Sequence, residues 1–322
     1  MKHAASIGFA STLALTASPL IADELTFEFL NLSSQADLGY AIFEDGWNGD
    51  NGPDIITSDD IGDLNGNGFA IGYRTMFGNT PVEIRAVAST MTGNVSLVDV
   101  DPTSGSPEGI DTGGADVNGS GIFFFGDLYD IDLDVSRTNG LGSLEANAQV
   151  TSFGNVQISA GVRSFSVNDM LIADIDAEDT WNVGLEHYVD VTNRMFGAQI
   201  SASSSWSLGG NLSVDAFASA GMFSNTATVN AGRTGRLDFG GISNSGSATA
   251  DNSTTAAELG VTVSYALSDS SQINFGYSAF YFNEIANSVA SFADTEFAVT
   301  TPGIAYTDAV FQGVKIEYVS RF

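Results

Sequence analysis

Few residues in this chain of 322 could do chemistry. Cysteine is absent, which removes disulfides, thiolate metal sites and a thiol nucleophile together. Of the two histidines, His3 lies in an N-terminal stretch that reads as an export signal, so a Ser-His site would have to be built on His187. Its surroundings, DTWNVGLEHYVDVTN, lack a Gly-x-Ser-x-Gly turn or any other nucleophile signature, and a solvated or interfacial histidine is the plainer reading. The segment DLNGNG at 63–68 matches the first half of a calcium loop, with Asp63, Asn65 and Asn67 as ligand candidates. Its twelfth position is Arg74, where such a loop carries a bidentate Glu. The expectation is a polar loop leading into a strand, with no metal. Paired carboxylates such as Asp132 and Asp134 share one face of a strand pattern, where solvated charge is the ordinary explanation. The chain therefore reads as a non-enzyme without a catalytic residue or a cofactor.

The elements that would position these residues are strands. A balance of 36 Gly, 22 Phe and 9 Tyr against 6 Pro, with 15% charged residues, belongs to turn-rich, aromatic-rich β proteins. Residues 1–22 have the plan of a signal peptide: Lys2 and His3, an apolar run from about Ile7 to Leu15, then small residues ending near Ala22. Residues 23–322 are expected to form one domain. No continuous apolar stretch of about 18 residues follows, so a membrane location requires a closed barrel. A net charge of -29 with scattered Lys and Arg argues against a nucleic-acid partner.

Period-2 alternation recurs along the chain. In 257–267 one face carries Leu259, Val261, Val263, Tyr265 and Leu267, the other Glu258, Gly260, Thr262 and Ser264. After a turn at 268–270, Ile273, Phe275, Tyr277 and Tyr281 oppose Asn274, Gly276, Ser278, Phe280 and Phe282, which completes a hairpin. Val261, Val263, Ile273 and Phe275 are expected to face lipid. Short turns at 77–80, 152–155, 208–211 and 268–270 alternate with long polar stretches at 44–66, 92–120, 230–253 and 284–307, the plan of short periplasmic turns and long external loops. Keeping every short turn on one side requires an extra hairpin between Gly121 and Arg137. The fold class expected is all-β: a transmembrane antiparallel β-barrel of about 12 strands, within 10–14.

The last residues, GVKIEYVSRF, place Val314, Ile316 and Tyr318 on the face that ends in Phe322. This resembles the closing strand of bacterial outer-membrane β-barrels, and the segments VQISAGVRSF, NRMFGAQI and ELGVTVSYALSDSSQINFGYSAFYF resemble porin-like members of that class. The resemblance implies that Val314, Ile316, Tyr318 and Phe322 form the signal read by barrel-assembly machinery, with outer-membrane lipid as the other partner.

On that reading the charged inner face lines a lumen. The candidates are Arg74, Glu83, Arg85, Asp130, Asp132, Asp134, Glu145, Arg163, Glu258, Lys315 and Glu317. The expected function is a passive channel for small solutes or ions in the outer membrane, with a mild cation preference from the excess of carboxylates. A plugged structural or adhesive surface barrel is the first alternative, and a secreted soluble β-sandwich binder the second.

Overall fold

A strand buried on one side only must alternate, and an antiparallel sheet with no edges must close on itself. In the computed structural model the chain does both. The structure describes residues 24–35, 43–44, 64–100, 108–111, 121–124, 131–177, 183–237, 240–293 and 302–322; the expected signal at 1–22, Asp63 and Asp130 lie outside them. In chain order the strands are β1 (Glu24–Gln35), β2 (Phe43–Glu44), β3 (Leu64–Phe77), β4 (Thr80–Val100), β5 (Glu108–Asp111), β6 (Gly121–Phe124) and β7 (Ile131–Phe153). There follow β8 (Val156–Ala177), β9 (Val183–Gly209), β10 (Leu212–Leu237), β11 (Gly240–Ser268), β12 (Ser271–Ala286), a six-residue helix α1 (Ser288–Ala293) and β13 (Tyr306–Arg321).

Ten of these strands close an antiparallel barrel in the order β1-β13-β12-β11-β10-β9-β8-β7-β4-β3, with β3 pairing back onto β1. The count is ten, not about twelve. The extra hairpin expected between Gly121 and Arg137 does not join the wall. Instead β6 pairs with β5, which pairs with β2 in a separate small sheet, and β4 pairs directly with β7 from Val82↔Ala148 to Val100↔Ile131. That direct pairing already keeps all short turns at one end. Three of them place glycine in the left-handed region, Gly78 at φ 64°, Gly154 at φ 60° and Gly210 at φ 60°, where a side chain would be strained.

In the stretch 230–253, expected as an external loop, residues 230–237 and 240–253 are strand. β10 and β11 stay in register out to Leu237↔Gly240. Over 243–253 of β11 Ser, Thr, Asn, Gly and Ala occupy both faces and none is buried, and so the period-2 signal vanishes from the sequence while the pairing continues. The wall is consequently uneven. Strands β7 to β11 have 22 to 29 residues, whereas β1, β3, β12 and β13 have 12 to 16.

The outer face carries an apolar belt. Phe29, Ile71, Leu144, Val162, Phe196, Ile200, Met222, Leu259, Val261, Val263, Phe275, Val314 and Ile316 are all exposed large hydrophobics. Aromatic residues crowd the rim at the short turns (Phe77, Phe153, Trp206, Tyr265, Tyr318 and Phe322), and Phe29 and Phe69 stack edge to face near the opposite rim. Beyond that rim the same outward positions become polar, as at Asn67, Arg194, Thr226 and Asp251. An outward belt bounded this way, on a sheet closed on itself through the height of the belt, is the surface that a bilayer core of roughly 25 Å requires.

Two outcomes test this belt. Val263→Arg, in the middle of the belt, should cost about 2–4 kcal/mol in a refolding titration in lipid, while Ser247→Arg on the same strand beyond the rim should cost close to nothing. The β1–β13 ladder begins at Glu24↔Arg321 and leaves Phe322 unpaired, with 70% of its surface exposed. Deleting Phe322 should therefore lower the yield of assembled barrel in cells and leave the unfolding midpoint of the assembled fraction unchanged.

Candidate functional site

Inward positions on every strand face the same enclosed space, so any charge there must find its counter-charge on another strand or keep water. Arg85 of β4 donates to Glu28 of β1 at 3.0 Å and to Glu258 of β11 at 3.3 Å, and stands 3.6 Å from Glu145 of β7. In the ring of ten, β4 and β11 are five places apart, so the Arg85–Glu258 pair spans the full diameter. Arg163 of β8 donates to the other Glu258 oxygen at 2.6 Å and to the Ser143 hydroxyl at 3.2 Å, and its guanidinium lies 4.4 Å from the ring centre of Phe165. Lys315 donates to Glu317 at 3.0 Å, sits 3.5 Å from Glu28 and lies over the Phe217 ring. Gln199 closes the layer by donating to Glu145 at 2.7 Å.

On the short-turn side of this layer the interior opens into a polar cavity of about 260 Å³, whose walls include Glu24, Arg74, Glu83, Gln157 and Glu317. On the other side it is filled. Leu30, Met91, Leu141, Leu171, Val191, Phe282 and Phe311 point inward and are almost wholly buried. Phe165 and Phe282 meet edge to face at 4.9 Å between ring centres, although β8 and β12 are four places apart in the ring. Phe223 adds to Phe165 at 5.2 Å and Phe311 to Phe282 at 5.8 Å, so aromatic rings from four strands make one contact chain across the barrel.

A segment of the chain seals this apolar layer from the far side. At Glu284 β12 adopts a left-handed conformation, φ 56°, and leaves β11, keeping β13 beside it through Ile285↔Thr307 and Ala286↔Tyr306 after a register shift. The kink is pinned: the Glu284 N–H donates to Asp308, and its carbonyl accepts from the Asn252 amide at 2.9 Å and the Thr254 hydroxyl at 3.3 Å. Ile285, Ala286 and Val289 then enter the interior. Asn193 pairs with both backbone groups of Ala286, and Asp169, held by Arg137 at 2.8 Å, accepts from the Ser288 N–H. Asn287 caps α1 by accepting from the N–H groups of Val289 and Ala290.

Of the lumen candidates, Arg74, Glu83, Arg85, Glu145, Arg163, Glu258, Lys315 and Glu317 occupy inward register positions. All but Arg74 and Glu83 belong to the ion-pair layer. Asp134 does not face inward: it is exposed, one position from buried Val135, on the outer side of the tall wall. Asp132 has the same register as Asp134, its side chain lying outside the described residues. Asp134, expected among the lumen residues, therefore lies outside the interior, because the inward phase of β7 runs through the odd-numbered residues. Asn65 and Asn67 are on the outer face of β3, already in strand, and Asn67 accepts from Asn31 at 3.2 Å. Among the described residues no group of three His, Asp or Glu side chains could hold a metal ion. Glu28, Asp169, Asn193 and Glu284 escaped the sequence reading. The alternation Phe27-Glu28-Phe29 carries a usable signal for the first of them, and nothing local signals the others.

His187 lies beyond the apolar belt on β9, inward and 1% exposed, opposite Arg233 of β10. Burial, and then the Arg233 charge, push its pKa down to about 3.

No family model matches the chain, and no curated sequence does. Among solved structures it is similar to the outer membrane protease OmpT from Escherichia coli, at 9% identity and TM-score 0.46, covering 95% of this chain and 99% of that one. The translocator domain of the autotransporter NalP from Neisseria meningitidis gives 10% identity and TM-score 0.37 over 94% and 90%. A Pseudomonas aeruginosa FadL homologue gives 10% and 0.27 over 93% and 90%. The closed ten-stranded wall and its apolar belt themselves define the class: a transmembrane β-barrel, the architecture of bacterial outer-membrane proteins.

Two measurements probe the interior. Glu258→Gln takes the shared anion from between Arg85 and Arg163 and should cost about 3–5 kcal/mol in a denaturant titration of the lipid-embedded barrel, the scale for breaking a buried pair. His187 is held neutral in the fold and protonates freely once unfolded. Its contribution is complete above about pH 6.5 and lost as pH falls toward 3, at a slope of at most ~1.4 kcal/mol per pH unit. His187→Gln should flatten that part of the stability-against-pH curve.

Proposed function

We propose that the protein is an occluded outer-membrane barrel that presents its tall wall, β7 to β11, at the cell surface and passes no solute through its interior. The observation that carries this reading is the Phe165–Phe282 contact across the lumen, flanked on one side by the ion-pair layer and on the other by the Ile285–Val289 segment. A water-filled path would have to break all three. The reading thus favours the structural or surface-display alternative over the passive channel, and a preference for cations has no permeant path on which to act. Lipid contacts the belt, assembly machinery reads the Val314–Ile316–Tyr318–Phe322 face, and no reaction is assigned to the chain.

Refolded protein in a planar bilayer tests the reading directly. The expected result is no unitary current in salt alone across ±100 mV, roughly the scale at which the field acts on a charge by 2.3 kcal/mol. Reproducible unitary steps from the unmodified protein would overturn it and return the passive channel to first place.

A further inference from the structure

We infer that the outer half of β11 is a docking edge for an extended, basic polypeptide segment, which would add to the tall wall as a further strand. The inference rests on the surface-display reading. Residues 240–254 of β11 pair on one side with β10, from Leu237↔Gly240 to Phe223↔Thr254. On the other side β12 begins to pair only at Thr255↔Asn283, because at the left-handed turn of Glu284 β12 parts from β11 and continues with β13 alone. Among the described residues no strand pairs with that second side, which meets Glu284 only at its inner end, where the Asn252 and Thr254 side chains bond to the Glu284 carbonyl. Alternate residues along it therefore direct their N–H and C=O groups away from the sheet. The open part, residues 240–251, is about 40 Å long at the strand rise of roughly 3.3–3.4 Å per residue.

Proteins ordinarily blunt such an edge with lysine, proline, a bulge or an inward charge. This one has none of them. Between Gly240 and Thr254 there is no Lys, Arg or Pro, and no register shift interrupts its ladder with β10. Its one charge, Asp251, accepts from the Thr226 hydroxyl at 2.7 Å. The side chains described there, 243–254, are Ser, Asn, Gly, Ala, Thr and that single Asp, so a guest strand meets small neighbours on both faces and can be of mixed side-chain size. The main-chain groups fix the chemistry of the occupant: an extended backbone, bound by β-augmentation.

Charge selects among such backbones. The chain has a net charge of -29, and the outer side of the same wall shows Asp134, Asp174 and Asp176, all exposed. Acidic segments are repelled and basic ones attracted. A second copy in the same membrane is disfavoured by geometry. A two-fold axis along the membrane normal would make strands tilted about 35–45° cross at roughly 70–90°, so their edges could meet at one point only.

The probe is a labelled synthetic peptide with the sequence of residues 226–237, TATVNAGRTGRL, which already pairs with this strand from its β10 side and carries two arginines. Binding to the refolded full chain is read by fluorescence anisotropy. Two further peptides carry N-methyl groups on the odd or on the even residues. One methylated set should lose at least tenfold in affinity while the other keeps it, since only alternate N–H groups face an edge. The double variant Ser247→Lys with Thr249→Lys, checked for heat-modifiable migration, should also weaken binding at least tenfold. The inference is overturned if the unmodified peptide fails to bind, if both methylated sets bind equally, or if the lysine variant binds undiminished. It is equally overturned if the refolded barrel forms a dimer that the same lysines dissolve, which would assign the edge to a second copy. Conductance of the same preparation reports on occlusion separately, so failure of one reading is distinguishable from failure of the other.

Discussion

A carboxylate inside a narrow barrel cannot be solvated by its own strand, so Glu258 must find its partners across the interior. Its two oxygens are taken by Arg163 at 2.6 Å and Arg85 at 3.3 Å, from strands on other parts of the ring. Arg85 in turn holds Glu28 beside the seam where β1 meets β13 and β3. One shared anion thus fixes the distance between walls that have no backbone contact. Burying that set costs desolvation, and an apolar replacement of similar volume could be as stable. What the ions add is a register: a slip of one residue in any strand would turn its charge to the lipid side, where the penalty is largest.

The apolar layer depends on this frame. With the wall spacing set, rings from β8, β10, β12 and β13 reach one another across the interior. The remaining opening is closed by the chain itself. Asn193 and Asp169 satisfy the backbone of the entering segment, which would otherwise bring unpaired N–H and C=O groups into a dry interior. Buried polar residues at this level thus serve the backbone.

The belt and its alternation were legible in the sequence because lipid demands an apolar residue at each outward position: Val261, Val263 and Phe275 are where period 2 puts them. The inward placement of Glu258, Arg163, Lys315 and Glu317 followed from the same phase. Two things were not legible. Where neither face is buried, as at 243–253, selection for alternation ceases, and strand and loop read alike. Interior pairing was equally hidden, since the phase says that Arg85 points inward and is silent on whether it meets water or Glu258. Asp134 failed for a different reason: Leu133 and Val135 alternate cleanly with Asp132 and Asp134, but on this part of the tall wall the outer face meets water, so the apolar set turns inward, as buried Val135 does, and the polar set outward.

The unevenness of the wall and the closure of its interior have a common origin at Glu284. Had β12 continued straight, it would have paired with β11 past Thr255, and the wall would have been tall on that side too. The turn instead sends Ile285 to Val289 inward, where they cover the aromatic layer. The Asn252 and Thr254 side chains that bond to the Glu284 carbonyl belong to the strand that loses its neighbour there. Left-handed backbone at a glutamate is strained, and it persists because the amide, the carbonyl and the following segment are all held. One residue's backbone therefore makes a plug on the inside and leaves a strand edge on the outside. A change that straightened β12 would alter both together.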